Sequence, residues 1–411
     1  MAQEFIKNGY EVVNHEEKAD VYVVNTCTVT NIADRKSRQM LRRVKDINPN
    51  SVLVACGCYV QVGKEELNKM EEIDLIIGNN EKKDIVQIIE NYSAEKDDEE
   101  CYITDVMQQR EYVEFGPTTY TEKTRAVIKV QDGCDRFCSY CIIPYARGRV
   151  RSRKLDNVIT EVEQIVDKGI KEVVITGIHI ASYGKDFKDN IGLIDLLEKL
   201  NEVKGLERIR LGSIEPKIIT EEFVNRLAKL NKICDHFHLS LQSGCNDTLQ
   251  RMNRRYTTEE FENGTKLLRE KFPNAALTTD IIVGFPGETE EEFNTTYEFL
   301  KKIKFYKMHV FKYSQRKGTK AAVMPNQVDG TIKEQRSKKL LELSDENEEW
   351  YNSQYIGKTV EVLFEEKDGE YFKGHTTNYI EVWAKGNDLE NIISKVEVLE
   401  AEKNRLIGKI F

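Results

Sequence analysis

The sequence predicts an α/β protein in three parts: a parallel α/β domain over residues 1–92, a partial (β/α)6 barrel over residues 125–352 and a small β-barrel over residues 353–411. In the first two parts, short apolar runs alternate with amphipathic helical patterns, which favours parallel sheets with crossover helices. A short acidic run interrupts this alternation, so residues 93–124 are predicted to be a linker. Five short strand patterns separated by turn residues then favour a closed barrel at the end of the chain.

The composition excludes several functions. No apolar stretch approaches the length of a membrane span, and the first residues lack the basic and apolar regions of a signal peptide. We therefore expect a cytoplasmic protein with no membrane partner. The chain has 61 basic and 70 acidic residues, a net charge of −9, so a nucleic acid would have to bind a local basic patch. Nine cysteines in a reducing compartment indicate metal ligands or buried thiols rather than disulfides.

Two cysteines follow strand patterns in the first domain. Cys27 comes after the strand predicted at 21–25, and Cys58 comes after the strand predicted at 52–55. Because the carboxyl ends of parallel strands meet at one edge of a sheet, we expect these thiols to lie close together, in a geometry that suits a metal. Cys56 precedes the end of its strand and is predicted to be a buried thiol instead.

The first domain also contains a basic helix pattern. Helices are predicted at 31–47 and 81–92, and a third strand at 73–77. Four basic residues recur on one face of the first helix: Arg35, Arg38, Arg42 and Lys45. The pattern is compatible with two roles: a surface that contacts the phosphates of a nucleic acid, or a solvated helix face.

The central domain contains six strand-then-helix units. Its strands are predicted at 126–131, 172–176, 208–211, 236–241, 277–283 and 305–311. Sites in such barrels gather at the carboxyl ends of the strands, where glycines admit a ligand to the backbone and polar side chains bond to it. The candidates at these strand ends are Gly177, Glu215, Gln242, Asp280 and Gly284, although ordinary turn chemistry selects the same residue types. The isolated histidines His179, His236 and His238 are predicted to be structural.

A nine-residue loop from Gly133 to Cys141 follows the first of these strands. It carries Cys134, Cys138 and Cys141 in the spacing C-x3-C-x2-C, with Tyr140 directly before the last thiol. Structural zinc needs four ligands, and no fourth Cys or His follows nearby. The loop is therefore predicted to hold a [4Fe-4S] cluster with one open iron, in preference to a zinc knuckle or a disulfide.

Arginines cluster after this loop. Arg147, Arg149, Arg151 and Arg153 alternate along the chain, so an extended backbone would direct all four to one side. A second cluster contains Arg251, Arg254 and Arg255. Together they predict a polyanionic substrate near the barrel.

The cysteine loop, with the residues from Ile142 to Gly148, matches the signature of the radical S-adenosylmethionine (SAM) enzymes and resembles the methylthiotransferases. The resemblance implies that Cys134, Cys138 and Cys141 hold the SAM-cleaving cluster, that Tyr140 packs beside adenine, and that the five strand-end candidates line the SAM pocket. It also implies an auxiliary [4Fe-4S] cluster on three cysteines, two of which match Cys27 and Cys58. The third lies in an earlier Gly-Cys loop, so the amino-terminal domain is expected to be incomplete and this cluster to lack one ligand.

The last segment resembles a TRAM domain, an RNA-binding β-barrel of the oligonucleotide-binding (OB) type. The resemblance rests on two stretches, Gly357 to Leu363 and Gly374 to Tyr379. Charge and stacking for RNA are expected from Lys373, His375, Tyr379 and Trp383, unless these residues serve the barrel itself.

Within the methylthiotransferases, residues 25–38 most resemble the MtaB type, which acts on N6-threonylcarbamoyladenosine beside the tRNA anticodon. The implied reaction removes the hydrogen on C2 of the adenine ring with a 5′-deoxyadenosyl radical and adds a methylthio group. The implied partners are the tRNA anticodon stem-loop and an electron donor such as flavodoxin or ferredoxin. The alternatives are a ribosomal-protein or isopentenyladenosine-tRNA methylthiotransferase, or a catalytically dead RNA-binding iron–sulfur protein.

Overall fold

The computed structural model describes residues 1–92, 100–114 and 124–411. These residues form two compact units. The first unit contains residues 1–92, 100–114, 132–151 and 314–323. The second contains residues 124–131, 152–313 and 324–411. The domain boundaries drawn from the sequence stay a prediction, but the loop with Cys134, Cys138 and Cys141 belongs to the first unit.

The first unit is built on a four-stranded parallel sheet in the order β1-β2-β3-β4. Its elements are α1 (Ala2–Lys7), β1 (Val21–Thr26), α2 (Asn31–Ile47), β2 (Val52–Gly57), α3 (Cys58–Val62), α4 (Lys64–Leu67), β3 (Leu75–Ile77), α5 (Ile85–Glu90), β4 (Glu100–Tyr102) and α6 (Ile143–Arg147). Helix α2 has the predicted bounds, because Thr30 caps its first turn and its apolar stripe packs Leu41 and Val44 into the core.

The predicted linker is wrong in one part. Residues 100–102 form β4, which pairs in parallel with β3, so the sheet has one strand more than the sequence pattern indicated. A three-residue strand at a sheet edge carries too little periodic signal to be recognised in an acidic context. Residues 93–99 and 115–123, which also belong to the predicted linker, lie outside the described residues.

The second unit contains the six predicted parallel strands. Its barrel elements are β5 (Arg125–Asp132), β6 (Arg151–Ser152), α7 (Leu155–Val166), β7 (Glu172–Gly177), α8 (Leu193–Glu202), β8 (Arg208–Leu211), α9 (Glu221–Leu227), β9 (His236–Gln242), α10 (Asn246–Arg251), α11 (Thr258–Lys271), β10 (Ala276–Val283), α12 (Glu290–Ile303), β11 (Lys307–Lys312) and α13 (Gly330–Ser353). The strands form two sheets, β6-β5-β7-β8 and β9-β10-β11, joined by two isolated parallel bridges. The result is the open, partial barrel that the strand count predicted.

A closed five-stranded barrel completes the second unit. Its strands are β12 (Thr359–Asp368), β13 (Tyr371–Thr376), β14 (Glu381–Lys385), β15 (Ile393–Ala401) and β16 (Leu406–Ile410). Alternate side chains of these strands fill one core, which includes Phe364, Phe372 and Val382. No helix in the described residues is long and apolar enough to cross a membrane.

Candidate functional site

The structure brings Cys27 and Cys58 to one edge of the first sheet. Thr26, the last residue of β1, pairs with Gly57, the last residue of β2, so the two cysteines directly follow neighbouring strand ends. Gly57 has a φ of +108°, and a Cβ there would lie 2.3 Å from the carbonyl oxygen of Thr26. This close approach requires glycine and keeps the two strand ends adjacent. Cys58 is buried, and Cys27 is exposed.

Arg147 of α6 connects this edge to the loop that carries the other three cysteines. Its Nε donates to the sulfur of Cys58 at 3.0 Å, and its Nη1 lies 3.6 Å from a carboxylate oxygen of Asp132. Burial lowers the pKa of Arg147, but Asp132, Cys58 and Cys27 outweigh burial, and the pKa is raised overall. Arg147 therefore remains a cation next to both thiols at the sheet edge.

Backbone hydrogen bonds define the start and the end of the loop from Gly133 to Cys141. The backbone N–H of Cys134 donates to the carbonyl of Gly148 at 3.0 Å, and the N–H of Cys141 donates to the carbonyl of Cys138 at 2.9 Å. Gly133 has a φ of +71°, and a Cβ there would lie 1.8 Å from the carbonyl oxygen of Arg149. These contacts hold the start of the loop against residues 148 and 149 and close a turn at its end.

The donor set of this loop fits an iron–sulfur cluster. Cys138 is buried, and Cys134 and Cys141 are half-buried, as is Tyr140. The backbone N–H of Arg136 points at the sulfur of Cys134 at 3.5 Å, and N–H groups directed at cluster thiolates are one way in which proteins tune such centres. Three soft thiolates on one turn suit iron and leave a further iron without a protein ligand in a four-iron cluster.

The second unit contains the five strand-end candidates. Glu215 is buried, and its carboxylate lies 3.4 Å from Nε2 of His179. Asp280 is partly exposed, and its carboxylate lies 3.2 Å from Nε2 of His238. Gln242 adopts a positive φ of 71°, which is uncommon for a residue with a side chain and indicates a constrained strand end.

The two glycines of this set are required by close packing. A Cβ on Gly177 would lie 2.7 Å from the carbonyl oxygen of Gln131, and a Cβ on Gly284 would lie 2.3 Å from the side chain of Lys333. Gly284 also has a φ of +70°, and its N–H donates to Glu288 at 3.0 Å. The role of these five residues in binding SAM stays a prediction.

Comparisons with known proteins agree with this architecture. The family model "Radical SAM superfamily" matches residues 128–300, and the model "Uncharacterized protein family UPF0004" matches residues 1–78. The chain is 43% identical over 97% of its length to the threonylcarbamoyladenosine tRNA methylthiotransferase MtaB of Bacillus subtilis, covering 90% of that protein. It is 41% identical to the protein of the same name from Aquifex aeolicus, with 94% and 92% of the two chains covered. The chain belongs to the radical SAM tRNA methylthiotransferase family.

Other comparisons are more distant. A tRNA-2-methylthio-N(6)-dimethylallyladenosine synthase from Caldicellulosiruptor saccharolyticus is 37% identical, with 98% of this chain and 87% of that protein covered. Among solved structures, the radical SAM methyltransferase TsrM from Kitasatospora setae aligns at a TM-score of 0.55 and 17% identity, over 74% of this chain and 65% of that chain. The latter comparison shows the barrel fold alone.

The prediction that four alternating arginines face one side is wrong. Arg147 ends a helix, and Gly148 then turns with a φ of +76°, so the segment is not extended. Arg151 is buried beside Asp132, and Arg153 is buried against Glu161. Arg149 is 46% exposed and pairs with Asp135. In this methylthiotransferase, the arginines of the segment mainly neutralise buried carboxylates.

The basic stripe of α2 is mostly paired as well. Arg38 bonds to Tyr59 and Glu66, Arg42 lies 3.5 Å from Glu72, and Lys45 lies 2.7 Å from Asp74. These contacts favour the solvated, salt-bridged face over a phosphate-binding one. In the second arginine cluster, Arg251 is likewise paired, with Glu292.

The structure assigns two of the proposed RNA contacts of the small barrel to packing. His375 and Tyr379 stack at 4.5 Å, and Tyr379 lies under the guanidinium groups of Arg210 and Arg125 at 4.6 and 5.0 Å. Lys373 and Trp383 lie elsewhere on the barrel surface, with the lysine 4.8 Å from the indole ring. A role for these two in binding RNA stays a prediction. Residues 353–411 contain 8 basic and 11 acidic residues, a net charge of −3, so any RNA site here is local.

Three cysteines outside the candidate site are buried, and Cys56 is one of them, as predicted. Cys56 lies in the hydrophobic core of the first unit, and burial raises the pKa of its thiol. Cys234 is fully buried, and burial raises the pKa of its thiol to about 12. Cys245 lies near Asp247 and Glu292, but Glu292 is already engaged by Arg251 and by the first turn of α12.

Proposed function

We propose that this protein adds a methylthio group to C2 of N6-threonylcarbamoyladenosine, at the adenosine next to the anticodon of tRNA. The two relatives with the highest identities above carry that activity in their names, at 43% and 41% identity. The single structural observation that supports it is the bond from Arg147, on the helix after the three-cysteine loop, to Cys58. Methylthio transfer needs one site that cleaves SAM and one that supplies sulfur, and this bond connects the two predicted sites within one unit.

In this proposal, Cys134, Cys138 and Cys141 hold a [4Fe-4S] cluster, and Cys27 and Cys58 hold an auxiliary cluster with a ligand that is not among these residues. Bound SAM and the clusters supply the radical and the sulfur. The strand-end residues Gly177, Glu215, Gln242, Asp280 and Gly284 are proposed to bind SAM, as is Tyr140.

The chain's own residues contribute charge and orientation. Arg147 holds Cys58 by a charge-assisted bond and is itself oriented by Asp132. Glu215 and Asp280 present carboxylates that can accept bonds from the ribose hydroxyls or the ammonium group of SAM. Their histidine neighbours restrict the rotamers of both carboxylates before the ligand arrives.

The proposed partners are the tRNA anticodon stem-loop and a flavodoxin or ferredoxin as electron donor. A tRNA substrate and a low-potential donor both suit a cytoplasmic enzyme, which is where we propose that the protein acts. The dimethylallyladenosine type is the second candidate because relatives with that name are 36–37% identical.

The test is an anaerobic assay of the reconstituted protein with two tRNA substrates, one with N6-threonylcarbamoyladenosine and one with N6-isopentenyladenosine. Mass spectrometry of the nucleosides measures the 2-methylthio product, and 5′-deoxyadenosine is measured in parallel. We expect product only from the threonylcarbamoyl substrate, and neither compound from Cys134→Ala. Product from the isopentenyl substrate alone would replace our proposal with the second candidate. Absence of 5′-deoxyadenosine in the wild type would indicate a structural cluster.

A further inference from the structure

The segment from residue 314 to 323 contacts both cysteine-bearing loops of the first unit. It follows β11 in sequence, more than 170 residues after the three-cysteine loop, and carries no metal-ligating residue. At its start, Arg316 reaches the loop after Cys27. Near its end, the N–H of Ala321 donates to the carbonyl of Ser139 at 2.8 Å, between Cys138 and Cys141.

Arg316 bonds to three side chains around Cys27. Its Nη2 donates to the hydroxyl of Thr28 at 2.7 Å and to the carboxylate of Asp34 at 2.6 Å, and its Nη1 donates to the amide oxygen of Asn31 at 2.5 Å. Thr28 is the immediate neighbour of Cys27. Asn31 is also bonded to the backbone of Gln315 at 3.0 Å and to the hydroxyl of Ser314 at 3.2 Å. The loop after Cys27 and the first turn of α2 are therefore fixed to this segment.

The burial of Arg316 argues for a geometric role. Its side chain is 7% exposed and that of Asp34 is 11% exposed. Nε of Arg316 and Oδ1 of Asp34 have no hydrogen-bond partner among the described residues. Buried ion pairs contribute little net stability because the desolvation cost offsets the attraction, and each unsatisfied buried polar atom adds to the cost. The planar guanidinium group instead fixes the direction and length of the hydrogen bonds that it donates, and so the positions of the residues that accept them.

Hydrogen bonds within the segment link its two anchors, Arg316 and Ala321. The hydroxyl of Thr319 donates to the carbonyl of Arg316 at 2.8 Å, and the amide of Gln315 donates to the carbonyl of Ala322 at 2.5 Å. Thr319 and Ala321 are buried. A displacement at one anchor is thus transmitted to the other.

We propose that Arg316 is a positioning residue that sets the placement of Cys27 relative to the loop with Cys134, Cys138 and Cys141. The inference rests on the proposed function, because that placement governs whether cleavage of SAM leads to methylthio transfer. Loss of Arg316 then leaves each cysteine group able to bind its iron but breaks the coupling between the two reactions.

The experiment compares four variants of the reconstituted full chain with the wild type. Arg316→Ala removes all three guanidinium hydrogen bonds, and Arg316→Lys retains a positive charge beside Asp34. Thr28→Val removes only the hydroxyl acceptor beside Cys27. Arg226→Ala is the control, because Arg226 also makes three carboxylate bonds but lies on α9 of the second unit. We measure methylthio product, 5′-deoxyadenosine and iron content for each.

We expect the ratio of methylthio product to 5′-deoxyadenosine to fall at least tenfold in Arg316→Ala and several-fold in Thr28→Val. Arg316→Lys should recover part of the ratio, and Arg226→Ala should keep the wild-type ratio. Iron content should stay within a fifth of the wild type in all variants. An unchanged ratio in both Arg316→Ala and Thr28→Val, or a proportional loss of both compounds, would overturn the proposal.

A second readout separates this proposal from the proposed function. Hydrogen exchange of the apo-protein, followed by mass spectrometry, should be faster in Arg316→Ala over both residues 25–34 and residues 137–142, and unchanged there in Arg226→Ala. If the wild type makes no methylthio product from either tRNA, the proposed function fails, and this readout still decides on Arg316. Faster exchange confined to residues 25–34 would show that the segment does not couple the two loops.

Discussion

Two arginines of the first compact unit and two of the second have different kinds of partner. In the first unit, Arg147 and Arg316 bond to a cysteine sulfur or to the residues beside a cysteine. In the second unit, Arg208 and Arg210 bond to Glu172 and to backbone carbonyls of the small barrel. The residue type is the same, but in the first unit the guanidinium contacts candidate metal ligands or their neighbours, and in the second it joins two barrels. The partners, rather than the arginines, indicate the role.

The base of the (β/α)6 barrel illustrates the second arrangement. Arg210 donates to Glu172 at 2.7 Å and to the carbonyl of Thr377 at 2.8 Å. Arg125 pairs with Glu365 at 2.6 Å. Arg125 and Arg208 are the first residues of β5 and β8, and the amino ends of barrel strands are where residues serve stability rather than catalysis.

The largest effect is expected for Arg210→Ala. Glu172 is 1% exposed, and its remaining cationic neighbours Arg125 and Arg208 lie at 3.9 Å, so the substitution leaves a poorly compensated buried carboxylate. We expect the free energy of unfolding to fall by about 3–5 kcal/mol, measured by urea denaturation. The ratio of methylthio product to 5′-deoxyadenosine should stay at the wild-type value.

Lys199→Ala is the control for this substitution, since it removes only an exposed pair with Glu202 and should cost no more than about 0.5 kcal/mol. The contrary result is a changed ratio of methylthio product to 5′-deoxyadenosine in Arg210→Ala under conditions where the variant is fully folded. It would show that the arginines of the second unit also affect methylthio transfer.

Arg147→Ala should have the opposite pattern, with a large effect on methylthio transfer and a small effect on stability. The substitution removes a charge-assisted bond to Cys58, while Asp132 keeps Arg151 at 3.6 Å and so is not left unpaired. A bond worth about 1.5–3 kcal/mol corresponds to roughly a 10- to 100-fold lower initial rate of methylthio transfer. The loss of unfolding free energy should be smaller than that of Arg210→Ala.

Arg147→Lys is the matched variant, because it retains the charge but not the directed Nε–H. If 5′-deoxyadenosine and methylthio product fell equally in Arg147→Ala, Arg147 would act only on the cleavage of SAM and not on the transfer step.

The smallest effect concerns His236, which packs at 5.2 Å against Tyr379. Burial, followed by the charge of Arg210, holds the pKa of His236 well below its usual value. The unfolded chain then binds a proton that the folded chain does not, so stability is present above pH 6.5 and is lost as the pH falls below it. Protonation of this one group in the unfolded chain should lower the free energy of unfolding by about 1.4 kcal/mol at pH 5.5 relative to pH 7.5.

The measurement is the difference in unfolding free energy between pH 7.5 and 5.5, in the wild type and in His236→Gln. The variant should lose about 1.4 kcal/mol less than the wild type over this range. An identical pH dependence in the two proteins would mean that His236 is not held neutral by the packing around Tyr379.

Local features of the fold were accessible from the sequence alone. Helix α2 begins and ends where its sequence pattern predicted, because its apolar stripe lies within the helix and its cap, Thr30, directly precedes it. The small barrel followed from the spacing of strands and turns, and the three-cysteine loop from the spacing of its thiols. The placement of Cys27 and Cys58 after neighbouring strand ends also followed from the sequence, because strand-end geometry in parallel sheets is general.

The partners of charged residues were decided only by the tertiary structure. Arg147 meets Cys58 across 89 residues of sequence, and Arg316 meets Asp34 across 282. Their local sequence does not indicate these partners. For the same reason the alternating arginines were misjudged as facing one side, and the basic stripe of α2 could not be assigned to solvent or to phosphates. Periodicity reports which face of an element is polar, whereas the choice between solvent, substrate and a buried partner depends on chain segments that only folding brings together.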